Sequence, residues 1–329
     1  MAAITKQKIL LWSGYTGFFL FCFAVFAYLT FPYERVRDLL ISKVQAANGP
    51  GVPETKLSIG ELGPSWLTGV ALTSVTLQRG SGTPGDSPTR LSADEIKLRL
   101  SPFKLLLGGL GLHFAASAGE GEIAGSYDQP KSGPVQLQAE LDALDLARVG
   151  IGSLLGLPLG GAASGSVELT LAEKPSQTQG DIDLRIEGFK LGDKKAAKLK
   201  LPGMSGPLTL DPIDAGTLVV KIKVHDGLAT IEHLESKGKD VELSGLGTIR
   251  LAQHLAQARA DLTLSAKFAQ AYRQKNDRTK AMFDILSAQR AVGADGALRV
   301  KIGGLLGNLH AAPVPSAINT SRLRRGPLR

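Results

Sequence analysis

The sequence predicts a mainly β protein: an N-terminal transmembrane helix followed by an elongated, curled antiparallel β-sheet domain with two or three helices. Three observations predict it. Ile9 through Tyr33 are 25 residues without a charge, long enough at ~1.5 Å per residue to exceed the ~30 Å apolar core of a bilayer. From Leu57 onward apolar and polar residues alternate, as in strands with one dry and one wet face. Turn signals such as His225-Asp226-Gly227 and Gly238-Lys239-Asp240 separate neighbouring runs, as in a meander. The expected organisation is a short tail at 1–8, an anchor at 9–33, an amphipathic helix and linker at 34–52, an extramembrane β-rich domain at 53–315 and a basic disordered tail at 316–329.

Within the anchor, Trp12, Tyr15, Tyr28 and Tyr33 lie toward the two ends, where amphipathic rings favour the membrane interface. Val25-Phe26-Ala27 resembles a signal-peptide cleavage point, but the apolar run before it is longer than the usual ~7–15 residues. An uncleaved anchor is therefore the expectation. Lys6 and Lys8 before it are balanced by Arg35, Arg37 and Lys43 after it, so charge alone does not orient it. The short tail and long C-terminal part fit export of the bulk of the chain.

After Pro32, the residues Val36, Leu39, Leu40, Lys43 and Val44 recur at helical spacing, and Asn48-Gly49-Pro50 ends that segment. Strands are expected over Val135–Leu141, Val167–Leu171, Ile182–Ile186 and Leu262–Phe268. Two interruptions read as helices: a short one capped by Asp145 and running through Leu146, Val149 and Leu154, and a longer one over Ala269–Ala291 carrying Tyr272, Met282, Phe283 and Leu286. Gly80–Pro88 reads as a polar loop.

Hydrophobic residues are 43% of the chain but aromatics only 5%, with 39 glycines, a supply suited to many short strands joined by turns. The net charge of +8 admits nucleic acid or an anionic surface. Its distribution argues against nucleic acid, because Lys97, Arg99, Lys221 and Lys223 alternate with apolar residues as on the wet face of a strand. The denser group Lys194, Lys195, Lys198 and Lys200 reads as a solvated loop, and Arg322, Arg324, Arg325 and Arg329 as the disordered tail.

No catalytic, cofactor-binding or metal-binding residues are assigned. Cys22 is alone and lies inside the apolar run, so no intrachain disulfide is possible. His113, His225, His233, His254 and His310 are scattered; His225 and His233 flank one turn with Asp226 and Glu232 but match no metal-ligand spacing. Gly203-Met204-Ser205-Gly206 is not a nucleophile elbow. Gly245 and Gly247 lack the third glycine and following helix of a dinucleotide loop. The expectation is a non-enzymatic protein without a cofactor.

Several segments together resemble the longer form of the type II secretion system protein N (GspN) family. They are Tyr28-Leu29-Thr30-Phe31-Pro32-Tyr33-Glu34 at the membrane exit, Leu91–Leu98 followed by Ser101–Gly108, Gly119–Gly125, Gly245–Ile249 and Asp295–Gly304. The likeness is one of pattern and spacing over roughly Ile9 to Pro313, and it is shared more distantly with AsmA-like proteins. It implies an accessory or structural component of type II protein secretion, single-pass in the inner membrane with its bulk in the periplasm. Its expected partners are the bilayer and other envelope components of the apparatus. The AsmA-like alternative implies a lipid-binding or lipid-transfer protein holding acyl chains in an apolar trough.

Overall fold

Runs that alternate over ten or more residues satisfy their backbone only by pairing, and here nearly every neighbour in sequence is a neighbour in space. The computed structural model describes residues 14–19, 22–23, 25–26, 30–46, 54–66, 68–80, 89–154, 158–192, 197–199, 208–254, 257–288, 292–293, 295–306 and 308–314. The strands before the middle of the chain are β1 (Thr55–Ser58), β2 (Glu61–Ser65), β3 (Gly69–Arg79), β4 (Thr89–Leu100), β5 (Leu110–Ala118), β6 (Gly121–Gln129), β7 (Val135–Asp145), β8 (Leu159–Leu171) and β9 (Gln179–Leu191). After them come β10 (Ala197–Leu199), β11 (Leu208–Leu210), β12 (Ile213–His225), β13 (Leu228–Lys237), β14 (Val241–Arg250), β15 (Arg259–Phe268), β16 (Ala297–Leu305) and β17 (Asn308–Pro313). Fifteen of these form one antiparallel sheet in chain order from β1 and β3 to β17, with β2 also on β3; β10 and β11 pair only with each other. Among the described residues no strand pairs the two ends of the large sheet, so it is open.

Helices sit at its margins. α1 (Tyr33–Ala46) packs Tyr33, Val36 and Ile41 against a core of Ile59, Leu62, Leu72 and Val75. The short α2 (Pro102–Leu106) joins β4 to β5. Between β7 and β8 lie α3 (Leu146–Val149) and α4 (Ile151–Leu154), where Leu144, Leu146 and Ala163 make a second small core. Between β15 and β16, α5 (Gln270–Arg273) and α6 (Asp277–Ala288) cover the largest core, in which Tyr272, Met282, Phe283 and Leu286 meet Phe189, Ile213, Leu218 and Val241.

Asp145 caps α3 as expected, its carboxylate accepting from the amides of Ala147 and Arg148. The expected single helix is broken there, because Gly150 adopts φ +84 and a Cβ on it would lie 2.0 Å from the Arg90 carbonyl. The longer expected helix is broken as well. Asn276 accepts from the Thr279 amide and so starts α6 anew, while its side-chain amide donates to Asp211. Thr279 also donates to Asp211, and the Tyr272 hydroxyl donates to the Asp211 carbonyl at 2.8 Å. One loop aspartate thus pins the corner between α5 and α6, and burial pushes the Tyr272 hydroxyl far above its ordinary pKa.

α1 forms where the helical spacing after Pro32 predicts it. Tyr33, Val36 and Ile41 face the sheet, whereas Leu39 and Leu40 are exposed. Lys198 lies in β10 and not in a loop. Ser101–Gly108, one of the segments that carry the family resemblance, contains α2. The break at 48–50, residues 81–88 of the polar loop, Lys194, Lys195, Lys200, the 203–206 segment and the tail from 316 lie outside the described residues. So does much of the expected anchor. Its residues 14–19, 22–23, 25–26 and 30 are helical, but among the described residues no helix is long and apolar enough to cross a membrane.

Candidate functional site: an open apolar sheet face

Successive residues of a strand point to opposite faces, so the register of an antiparallel sheet decides whether its apolar positions line up. In this sheet they do. From β4 to β9 one cross-strand row runs Leu98, Phe114, Gly125, Ala139, Val167, Ile182. The same row continues through Ile222, Ile231, Gly247, Leu262 and Ile302 in β12 to β16. A second row, one pleat along, contains Leu112, Tyr127, Leu137, Leu169, Val224 and Ile249. Neither row contains a charged residue.

The adjacent positions give the opposite result. Arg99, His113, Ser126, Gln138, Glu168 and Asp181 follow one another across the other face, which continues with Lys223, Thr230, Thr248 and Asp261. That face is laced by exposed ion pairs: Lys97 with Glu95 at 2.8 Å, Lys221 with Asp183 at 2.7 Å, and Lys301 with Asp261 at 3.1 Å. The carboxylates of Glu95 and Asp183 hold the ammonium groups of Lys97 and Lys221 above their ordinary pKa.

Among the described residues no second sheet is packed on the apolar face. The helices protect its ends: α1 lies over Leu72, Ile96 and Leu98, and α5 with α6 over Leu218, Leu243 and Leu298. Between them Phe114, Leu137, Val167, Leu169, Ile182, Ile222, Leu262 and Ile302 are only half-buried. The two rows lie ~7 Å apart and run about 50 Å across the strands at ~4.8 Å spacing; within them Ala139, Val224, Ala229 and Ile231 are buried and the larger side chains between are partly exposed. A continuous uncharged row of partly exposed apolar side chains on one sheet face is a candidate binding surface.

Glycine shapes this strip. Gly165 stands between Leu141 and Leu184 on the apolar face. Its φ of +145 and the Asp183 carbonyl 2.0 Å from where a Cβ would sit bring β8 and β9 closer than a side chain would allow. One polar atom intrudes: Ser236, in line between Leu218 and Leu243, is buried, and its hydroxyl has no hydrogen-bond partner among the described residues.

The histidines do not converge. His225 lies 3.4 Å from Asp226 at an exposed hairpin turn, and His233 lies 3.8 Å from Glu235 on the polar face. His113, His254 and His310 are each exposed on different elements. Among the described residues no three His, Cys, Asp or Glu side chains are grouped so as to hold a metal ion. Gly245 and Gly247 lie inside β14 with no phosphate-binding turn. Alternation had indicated the parity of each strand; what it missed is the continuity of the rows, which depends on a one-residue bulge in β13 at Glu232. Without that extra residue Leu234 and Ser236 would fall on the polar face. No protein-family model, curated protein or solved structure matches the chain.

Proposed function

We propose that the chain is a non-enzymatic accessory component of the bacterial type II protein secretion apparatus. In this reading Ile9–Tyr33 anchors it in the inner membrane and the sheet, curled along its length, stands in the periplasm. The family resemblance carries the assignment to secretion. Its supporting segments fall on the β4–α2 junction, the β5–β6 turn, β14 and β16, so they span the whole sheet. The anchor is supported by the described helical residues Phe18, Phe19, Phe23 and Phe26, all of them exposed; a helix with apolar side chains facing outward is stable in lipid and not in water. Deleting the gene and measuring the exported enzymes in the medium tests the secretion role. A several-fold drop in secreted protein, with cell-associated levels preserved, is the expected result, and unchanged export in every condition contradicts it.

The open apolar face favours a second reading, lipid handling. A strip lined by Leu, Ile, Val and Phe without a charge matches acyl chains in chemistry, and a membrane anchor keeps it beside their source. Native mass spectrometry of the full chain released from nanodiscs separates the readings: retained phospholipid supports lipid handling, and a bare chain leaves the sheet as a scaffold.

A further inference from the structure

Large apolar side chains gather at one end of the strands, away from α3 to α6. α2 displays Phe103, Leu106 and Leu107 at i, i+3, i+4 spacing, hence on one face, and each is more than three-quarters exposed, at 78%, 83% and 79%. Leu100 and Leu105 beside them are also exposed. The β2–β3 turn adds Trp66, 73% exposed. The two turns adjoin, because Gly69 pairs with Arg99 and the Leu100 amide donates to the Thr68 carbonyl at 3.1 Å. The Arg99 guanidinium lies 5.5 Å from the Trp66 ring centroid.

The rim of this knuckle is basic. Lys104 pairs with Asp128, the side chain of Lys131 lies against Gly108, and Arg99 completes the set. Scattered exposed leucines are ordinary, but hairpin ends normally carry Gly, Asn, Asp or Pro. Here two adjoining ends carry a tryptophan, a phenylalanine and four leucines instead. Aromatic rings at headgroup depth, aliphatic side chains below them and cations whose stems reach upward are the chemistry of a bilayer interface.

Position supports the same occupant. α1, which follows the proposed anchor, is bonded to the sheet through Arg37, whose guanidinium donates to the Gly60 carbonyl at 3.2 Å. From Gly60, through the five residues of β2, the chain spans about 20 Å to Trp66, so the chain itself keeps the knuckle within reach of the membrane.

We propose that α2 and Trp66 form a second membrane contact, inserting Phe103, Leu106, Leu107 and Trp66 into the interface of a bilayer that contains anionic phospholipid. The contact fixes the sheet's orientation. It also brings Leu100 and Leu112, where the second apolar row begins, to the bilayer surface. The proposal rests on the anchoring reading only for the tether.

The chain has two tryptophans, so Trp12→Phe leaves Trp66 as the sole reporter. The full-length variant is reconstituted into vesicles of phosphatidylcholine and phosphatidylglycerol with brominated acyl chains, and flotation is scored in parallel. The expected result is a blue-shifted Trp66 emission quenched by bromine. Quenching falls about threefold when Phe103, Leu106 and Leu107 are changed to Ser, and it is weaker in phosphatidylcholine alone. A chain that floats with an unquenched Trp66 overturns the knuckle and leaves the anchor standing. Quenching without stable flotation supports the knuckle and removes the anchor, and neither flotation nor quenching overturns both. An unquenched Trp66 in a chain whose dimerisation is lost on the triple substitution assigns the patch to a second copy and overturns the bilayer contact. The quenching of the parent variant is decisive even if the triple substitution impairs folding.

Discussion

The same substitution made under the helical cover and on the open strip should have very different consequences. Phe283 is 4% exposed and packs edge-on to Phe268 at 5.0 Å and to Tyr272 at 6.5 Å, with the Arg273 guanidinium 5.3 Å from its ring. Truncating a buried phenylalanine to alanine costs about 3–5 kcal/mol from lost transfer energy plus the cavity left behind. Phe114 lies on the same face of the sheet but is partly exposed, over Gly125. Its truncation removes about two-thirds or more of a side chain's transfer energy but leaves a solvent-filled notch in place of a cavity, about 1–2.5 kcal/mol. Urea titration of the full chain in mild detergent, followed by far-ultraviolet circular dichroism, gives both values as midpoint shifts at a common slope. Equal losses for Phe283→Ala and Phe114→Ala would refute the reasoning, because Phe114 would then be as enclosed as a core residue.

Three other outcomes follow from particular contacts. Leu184→Asp should destabilise the sheet by about 2 kcal/mol or more and Arg185→Asp by under ~1, since adjacent strand residues face opposite sides; thermal melts of the pair check it. Ser236→Ala should stabilise by roughly 1 kcal/mol, because it removes a buried hydroxyl without a partner, and an unchanged or lower urea midpoint contradicts this. Asp94 accepts from the Gly119 amide at 2.6 Å and from Arg148 at 2.9 Å, and these bonds hold its carboxyl below the usual range. A depressed native pKa contributes stability above the unfolded value of about 3.9 that is lost as pH falls through the native one. Acidifying from pH 5 to pH 2 should therefore loosen α3 from the β5–β6 turn, seen as increased proteolysis near Arg148. Asp94→Asn should be loose throughout and show no such step.

Much of this architecture is legible in the sequence because a two-residue period leaves little choice. Ile182, Leu184 and Ile186 must share a face, and Asp145 before an apolar segment announces a helix start. The run Tyr272 to Leu286 reads as one helix until Asp211, 65 residues upstream of Asn276, is known to bind the corner. The helical spacing after Pro32 announced α1, but which of its residues meet the sheet depends on the position of β1 to β3, which selects Ile41 over Leu39 and Leu40. Openness was least legible of all. Period-2 alternation is equally compatible with a closed sandwich, and the difference lies in the absence of a second sheet over Val167 and Ile222 among the described residues.

Thiol accessibility tests that openness most directly. In a Cys22→Ser background, cysteines replacing Leu169, Ile222 or Leu262 on the strip, Leu286 on the buried side of α6 and Arg185 on the polar face are exposed one at a time to a small maleimide in the folded, lipid-free chain. The strip positions should react within roughly tenfold of the Arg185 position and lose that reactivity when phospholipid is added, while the Leu286 position stays inert. An Ile222 position as inert as Leu286 before any lipid is present would mean that the apolar face is closed, and would contradict the account.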